Sequence, residues 1–228
     1  SNVINMSYMF SNSVATAIGV SDFDTSNVIN MSYMFSNSVA TAIGVSDFDT
    51  SNVINMSYMF SNSVATAIDV SNFDTSNVTN MNGMFLNTNV VQLDISNFNT
   101  SNVTDMGLMF QDSKLNVLDL SSFNTSNVTS MAFMFMSSTN LEKIYVSDKF
   151  DTENVRLYVD MFRNCIKLVG GAGTTYDSTK TDKAYARIDK GTNSPGYFTD
   201  IADKPVEPYS FSSDSWATIA NAVKNNNI

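Results

Sequence analysis

The 228-residue chain has no histidine, one cysteine (Cys165), and no lysine or arginine before Lys114. The first absence removes the side chain most used for proton transfer near neutral pH, and the second removes any intramolecular disulfide. With no histidine to activate it, Cys165 reads as a buried structural thiol. No paired carboxylates stand outside a repeating ladder, so neither a nucleophilic nor an acid–base constellation is visible. The chain is therefore expected not to be an enzyme. No apolar run is long enough to span a bilayer and no signal or transit segment is present, so no membrane insertion is expected of this stretch.

The missing bases leave an uneven charge. Twelve basic residues face 22 acidic ones, for a net charge of −10, and nine aspartates precede Lys114. That balance argues against nucleic acid and anionic membrane as partners, and its plainest role is solubility.

What the chain does have is a repeat of 25 residues, typified by Ser76–Thr100 (SNVTNMNGMFLNTNVVQLDISNFNT). Ser1–Thr25, Ser26–Thr50, Ser51–Thr75 and Ser101–Thr125 share its frame, Ser126–Thr152 carries two extra residues, and a degenerate seventh unit starts at Glu153. A fixed period of this length implies a solenoid, in which each unit buries its apolar side against its neighbours. Ser1 continues the pattern as though another unit preceded it, so a piece of a longer array is expected.

Two apolar tracks run through the units. The first, Val–x–x–Met–x–x–Met–Phe (Val78, Met81, Met84 and Phe85 in the fourth unit), has the spacing of one face of a short helix or 3-10 turn. Asp74-Thr75-Ser76-Asn77 precedes it as a suitable N-cap. All 14 methionines lie in the array, where regular spacing marks them as core packing. The second track alternates, as in Ile18, Val20 and Phe23, or Leu93, Ile95 and Phe98, or Leu118, Leu120 and Phe123. It reads as one short strand per unit and hence a parallel sheet on one side. The expected fold is an α/β solenoid: a leucine-rich-repeat-like right-handed coil with a parallel sheet on one side and short helices or 3-10 turns on the other. The array occupies residues 1–162 and a C-terminal cap 163–199, with a strand expected at 184–188 inside the cap. A linker follows at 200–208, and 209–228 opens a further domain or forms a docking helix.

An asparagine stands second in all seven units (Asn2, Asn27, Asn52, Asn77, Asn102, Asn127, Asn154). Its amide suits a unit-to-unit hydrogen-bond ladder. The outward strand positions form the one continuous surface. One column reads Ala17, Ala42, Ala67, Gln92, Val117, Lys143, and the next Gly19, Gly44, Asp69, Asp94, Asp119, Tyr145. A cation bound to the stacked aspartates would need several converging ligands, which a single file does not supply, so no metal and no cofactor are expected. The flat threonine array that ice binding requires is also missing. The candidate binding face is Asp69, Gln92, Asp94, Val117, Asp119, Lys143 and Tyr145.

The phrase Phe73–Phe85 (FDTSNVTNMNGMF) resembles the bacterial surface-protein repeat family related to BspA-like leucine-rich repeats, found in Mollicutes and Gram-positive bacteria. The run from IYVSDKF through DMFRNC and KLVGGAGTTYDS to PGYFT is similar to the closing segment of such arrays. The resemblance covers residues 1–199 and implies a secreted or surface-anchored protein that serves adhesion to a host or neighbouring-cell protein or glycan. It carries no catalytic or ligand-binding positions. Where many members have Gly-Cys-Ser after the helical track, this chain has Ser36-Asn37-Ser38 and Asn87-Thr88-Asn89. Its first three units are nearly identical, which also suits a structural spacer or a self-assembling stalk that associates through the unit ends.

Overall fold

The computed structural model describes residues 2–205. The expectations for the remainder of the linker and for residues 209–228 lie outside the described residues. Six short strands form two parallel sheets. In the first, β1 (Ala17–Gly19), β2 (Ala42–Gly44) and β3 (Ala67–Ile68) pair in the 25-residue register, Ala17 with Ala42 and Ala42 with Ala67. In the second, β4 (Val117–Asp119) pairs with β5 (Lys143–Val146), which pairs with β6 (Thr199–Asp200). The alternation of exposed and buried residues follows the period-two track, with Ile18, Ile43, Ile68, Leu118 and Ile144 facing in. The fourth unit departs from expectation: Leu93–Ile95 forms no strand, and the sheet is interrupted there.

The Met–Phe track is not helical. Among the described residues there is no α-helix, and the three 3-10 helices (Lys183–Tyr185, Gly191–Asn193, Ile201–Asp203) all follow the array. The track is instead a chain of tight turns. The eighth and twelfth residues of each unit sit at positive φ, as at Tyr33 (58°), Asn37 (55°), Leu108 (61°) and Asp112 (56°). A left-handed residue ends any right-handed helix. The amides then divide their work. Met34 and Ser36 donate back to Met31 and Tyr33, closing turns, while Met31, Tyr33, Phe35 and Asn37 donate to the carbonyls of Asn55, Ser57, Met59 and Ser61 in the next unit. Successive turns place the same apolar residues inward as a helix would, so the spacing alone did not distinguish them. The expected N-cap oxygens serve turns too: Asp74 Oδ1 accepts from the Ser76 amide at 2.9 Å.

Burial is organised by column. Phe10, Phe35, Phe60, Phe85, Phe110, Phe135 and Phe162 form one stack, with ring centroids 5.5–6.0 Å apart and planes within 13°. Such offset stacking adds to the area term of burial. Valine and methionine columns flank it, from Val28 and Met31 to Val155 and Met161, all buried. Threonine closes each unit. The buried Thr75 hydroxyl donates to the Asn99 carbonyl (3.0 Å) and accepts from the Asn99 amide (2.8 Å), and Thr100 does the same to Asn124 (2.9 Å each). The asparagine column is also used: Asn52, Asn77, Asn102, Asn127 and Asn154 each donate through Nδ2 to a serine carbonyl of the preceding unit at 2.7–2.8 Å.

After the seventh unit the stacking changes direction. Tyr197 and Phe198 meet Phe162 edge-on at 5.1 and 5.8 Å, and Phe198 meets Phe150 at 5.0 Å. The strand expected over 184–188 is absent. Asp182 accepts from the Ala184 amide and starts a 3-10 turn at Lys183, leaving only an Ile188–Phe198 bridge. No described helix is long and apolar enough to cross a membrane.

Candidate functional site

The outward columns stand where strand alternation requires them. Ala17, Gly19, Ala42, Gly44 and Ala67 are exposed and form a flat stretch with almost no side chain above the backbone. Past it, Asp69, Gln92, Asp94 and Val117 are exposed, while Asp119 and Lys143 are half-buried. Pairing of Val117 with Lys143 and of Asp119 with Tyr145 confirms the register at that end. The break in the sheet separates Gln92 and Asp94 from the ladders on either side.

The aspartates of this column are not bare. Asp69 Oδ1 accepts from the Ser71 amide and hydroxyl at 3.1 and 2.6 Å, and Asp94 does the same with Ser96 at 3.1 and 2.7 Å. The bonds from Ser71 hold the Asp69 carboxyl below its ordinary range. Asp119 accepts from the Ser121 amide and, through Oδ2, from Lys204 at 2.6 Å. Burial pushes the Asp119 carboxyl up, but the bonds from Lys204 and Ser121 outweigh it and the net direction is down. Among the described residues no group of three or more His, Cys, Asp or Glu is arranged to hold a metal ion.

Tyr145 does not project from the face. Only 8% of it is accessible, because β6 pairs alongside it and the Lys204 ammonium lies 5.8 Å from its ring centre. Thr199–Asp200 thus extends the sheet beside the sixth unit, and Lys204 reaches across Tyr145 to Asp119 of the fifth. Lys143 is engaged as well, donating to the Gly170 carbonyl at 3.1 Å. Lys204 stands 85 residues from Asp119, and no local pattern announces so distant a contact.

A second ordered surface was legible but unread. Tyr8, Tyr33 and Tyr58 stack at 4.6 and 4.7 Å with planes 5° and 11° apart. The stripe ends at Gly83, whose φ is +60° and whose missing Cβ would lie 2.5 Å from the Tyr58 ring. A groove beside the asparagine column is lined by Ile4, Ile29, Ile54 and Thr79 with Asn27, Asn52 and Asn77. Cys165 is enclosed, donates to the Phe135 carbonyl at 2.9 Å, and has its thiol pushed up to about 12 by burial. That leaves negligible thiolate for nucleophilic work.

No curated protein and no solved structure matches the chain. A family model does, over residues 1–69 and again over 62–175, which is well over half the length. The two matches overlap at residues 62–69 inside the array, and the chain belongs to the repeat family described as "Mycoplasma protein of unknown function, DUF285".

Proposed function

We propose that the chain is a non-catalytic module of the bacterial cell surface that presents its sheet side to a host or neighbouring-cell protein or glycan. On this reading the stacked units form a right-handed solenoid of the BspA-like leucine-rich-repeat kind, and residues 163–199 are its terminal cap. One observation carries the reading. The inward columns of valine, methionine, phenylalanine and threonine are consumed by unit-to-unit contacts, while the outward positions from Ala17 through Val117 stay exposed. Extended repeat surfaces suit recognition for that reason. The variation is concentrated at Asp69, Gln92, Asp94 and Val117, since Tyr145 is covered and Asp119 and Lys143 are held by internal bonds. The acidic character of this half favours a ligand rich in hydrogen-bond donors or basic groups.

The test is a binding screen of the 228-residue chain against matrix proteins and glycans, repeated with a Asp69→Lys, Gln92→Lys, Asp94→Lys triple variant. Saturable binding that the triple variant weakens tenfold or more is the expected result. Binding that the variant leaves unchanged would move the contact surface elsewhere, and no binding to either class would refute the reading.

A further inference from the structure

The tyrosines at the eighth position of the first three units form a site that the adhesion reading does not use. Their amides donate in one register, Tyr8 to the Ser32 carbonyl, Tyr33 to Ser57 and Tyr58 to Asn82, at 2.8–3.0 Å. The backbone therefore sets each tyrosine in line with the next, and the rings follow at 4.6 and 4.7 Å. All three hold positive φ, from 56° to 61°, a conformation that a bulky side chain rarely adopts. Outliers of this kind gather at sites where a side chain is held in one place. The next three units carry Gly83, Leu108 and Phe133 at the same position and the same φ, so the fold itself does not require a phenol there.

The stack leaves the phenols free to react. Tyr33 has a ring against each of its faces, and Tyr58 lies between Tyr33 and Gly83, so what these two half-buried residues expose is the rim. None of the three hydroxyls bonds a described residue. Burial, and then the neighbouring phenol, push the Tyr33 and Tyr58 hydroxyls up, so each is neutral near pH 7 and gives up a proton with its electron on oxidation. The tyrosines further along are arranged otherwise. Tyr185 and Tyr197 lie 5.0 Å apart but tilted by 37°, Tyr197 is fully buried, and its hydroxyl is engaged with the Asp177 backbone. Tyr145 is covered, and Tyr158 has Lys183 rather than another ring over its face.

We infer that this stripe is an oxidative cross-linking site, at which Tyr33 couples to Tyr8 or Tyr58 and forms a dityrosine bond between successive units. The oxidant is a peroxide acting through a haem peroxidase. Each of two phenols loses one electron and one proton. The two phenoxyl radicals join carbon to carbon at positions ortho to oxygen, and the hydrogen on each joined carbon moves to the oxygen of its own ring. One hydrogen peroxide takes up the two electrons and two protons and leaves as two waters. Parallel rings in contact let a radical formed on one pass to its neighbour, and a tilt about the Cβ bonds brings two rims together with no hydroxyl bond to resist it. The product closes a 25-residue loop and restricts the unfolded chain as a disulfide does, in a sequence whose single cysteine allows no internal disulfide. This goes beyond the adhesion reading and does not depend on it.

Treatment of the dilute 228-residue chain with a haem peroxidase and limiting hydrogen peroxide tests it, read by dityrosine fluorescence, intact mass and peptide mapping. Trypsin has no site before Lys114, but cleavage before aspartate puts Tyr8, Tyr33 and Tyr58 on separate peptides. The expected product is a monomer lighter by two hydrogen atoms, whose linked peptides join Tyr33 to Tyr8 or to Tyr58. Tyr33→Phe keeps a ring in the stack and removes the shared phenol, and lowers the yield of linked monomer tenfold or more; Tyr158→Phe leaves it unchanged. A chain that gains oxygen without linking, links only between molecules, or links its other tyrosines instead overturns the inference. So does a chain left unmodified under conditions that couple a tyrosine dipeptide, or a Tyr33→Phe chain that links as well as the parent.

Discussion

The threonine that closes each unit offers the sharpest test of how the units are held. Thr100 is fully buried, and its hydroxyl both donates to the Asn124 carbonyl and accepts from the Asn124 amide at 2.9 Å. Thr100→Val keeps the shape and removes both bonds. A net hydrogen bond contributes about 0.5–1.5 kcal/mol, and a buried group left without a partner costs about 1–3 kcal/mol. Asn124 is only part-buried, so water compensates in part and the expected loss is about 1.5–3 kcal/mol. Thr100→Ser keeps both bonds and loses one methyl, an expected cost of about 1 kcal/mol. Urea titration followed by far-ultraviolet circular dichroism measures both. A valine variant as stable as the parent, or a serine variant less stable than the valine one, would refute the ladder as a source of stability.

Gly83→Ala is expected to cost about 1–3 kcal/mol, since it puts a side chain at positive φ and against the Tyr58 ring; thermal unfolding reads it. Asp189 is buried, and its carboxylate accepts from the Ala172, Thr174 and Gly191 amides and the Thr174 hydroxyl. Burial pushes its carboxyl up, but the bonds from Thr174, Gly191 and Ala172 prevail and hold it below the ordinary range. Its contribution is therefore complete above about pH 4, the unfolded value, and is lost as pH falls through the lower folded one. Asp189→Asn should flatten the acid limb of a stability–pH curve. Cys165, with its thiol at about 12, should react with a thiol reagent at pH 8 only at the rate of unfolding, which denaturant will accelerate.

Much of the arrangement was legible in the chain because each column repeats one chemical requirement. The pairing of Ala17 with Ala42 and of Asp119 with Tyr145 follows from period and alternation alone. The Met–Phe track shows where a pattern stops informing. Spacing fixes which residues face inward, but turns with left-handed residues meet the same condition as a helix, and only the backbone amides tell them apart. The signal was present in part, as the twelfth position is asparagine in five of seven units, the residue that most readily adopts positive φ after glycine. Tyr145 failed for another reason. Its place on the strand was right, but a segment more than fifty residues later folds back over it, and alternation carries no word of such long-range cover. Nothing in the structure explains why Leu93–Ile95 forms no strand.

The most direct test of the stacked-unit account is removal of one whole unit. Deleting Ser51–Thr75 joins Thr50 to Ser76, in frame, and every column meets an equivalent residue across the junction. Thermal unfolding by circular dichroism should then show a shorter chain that still folds and melts cooperatively. A control lacking only Ser51–Ser63 leaves a partial unit that breaks the register at both of its junctions, and it should melt at lower temperature and less cooperatively. If the in-frame deletion melts as low and as broadly as the control, the units do not stack interchangeably and the account is wrong.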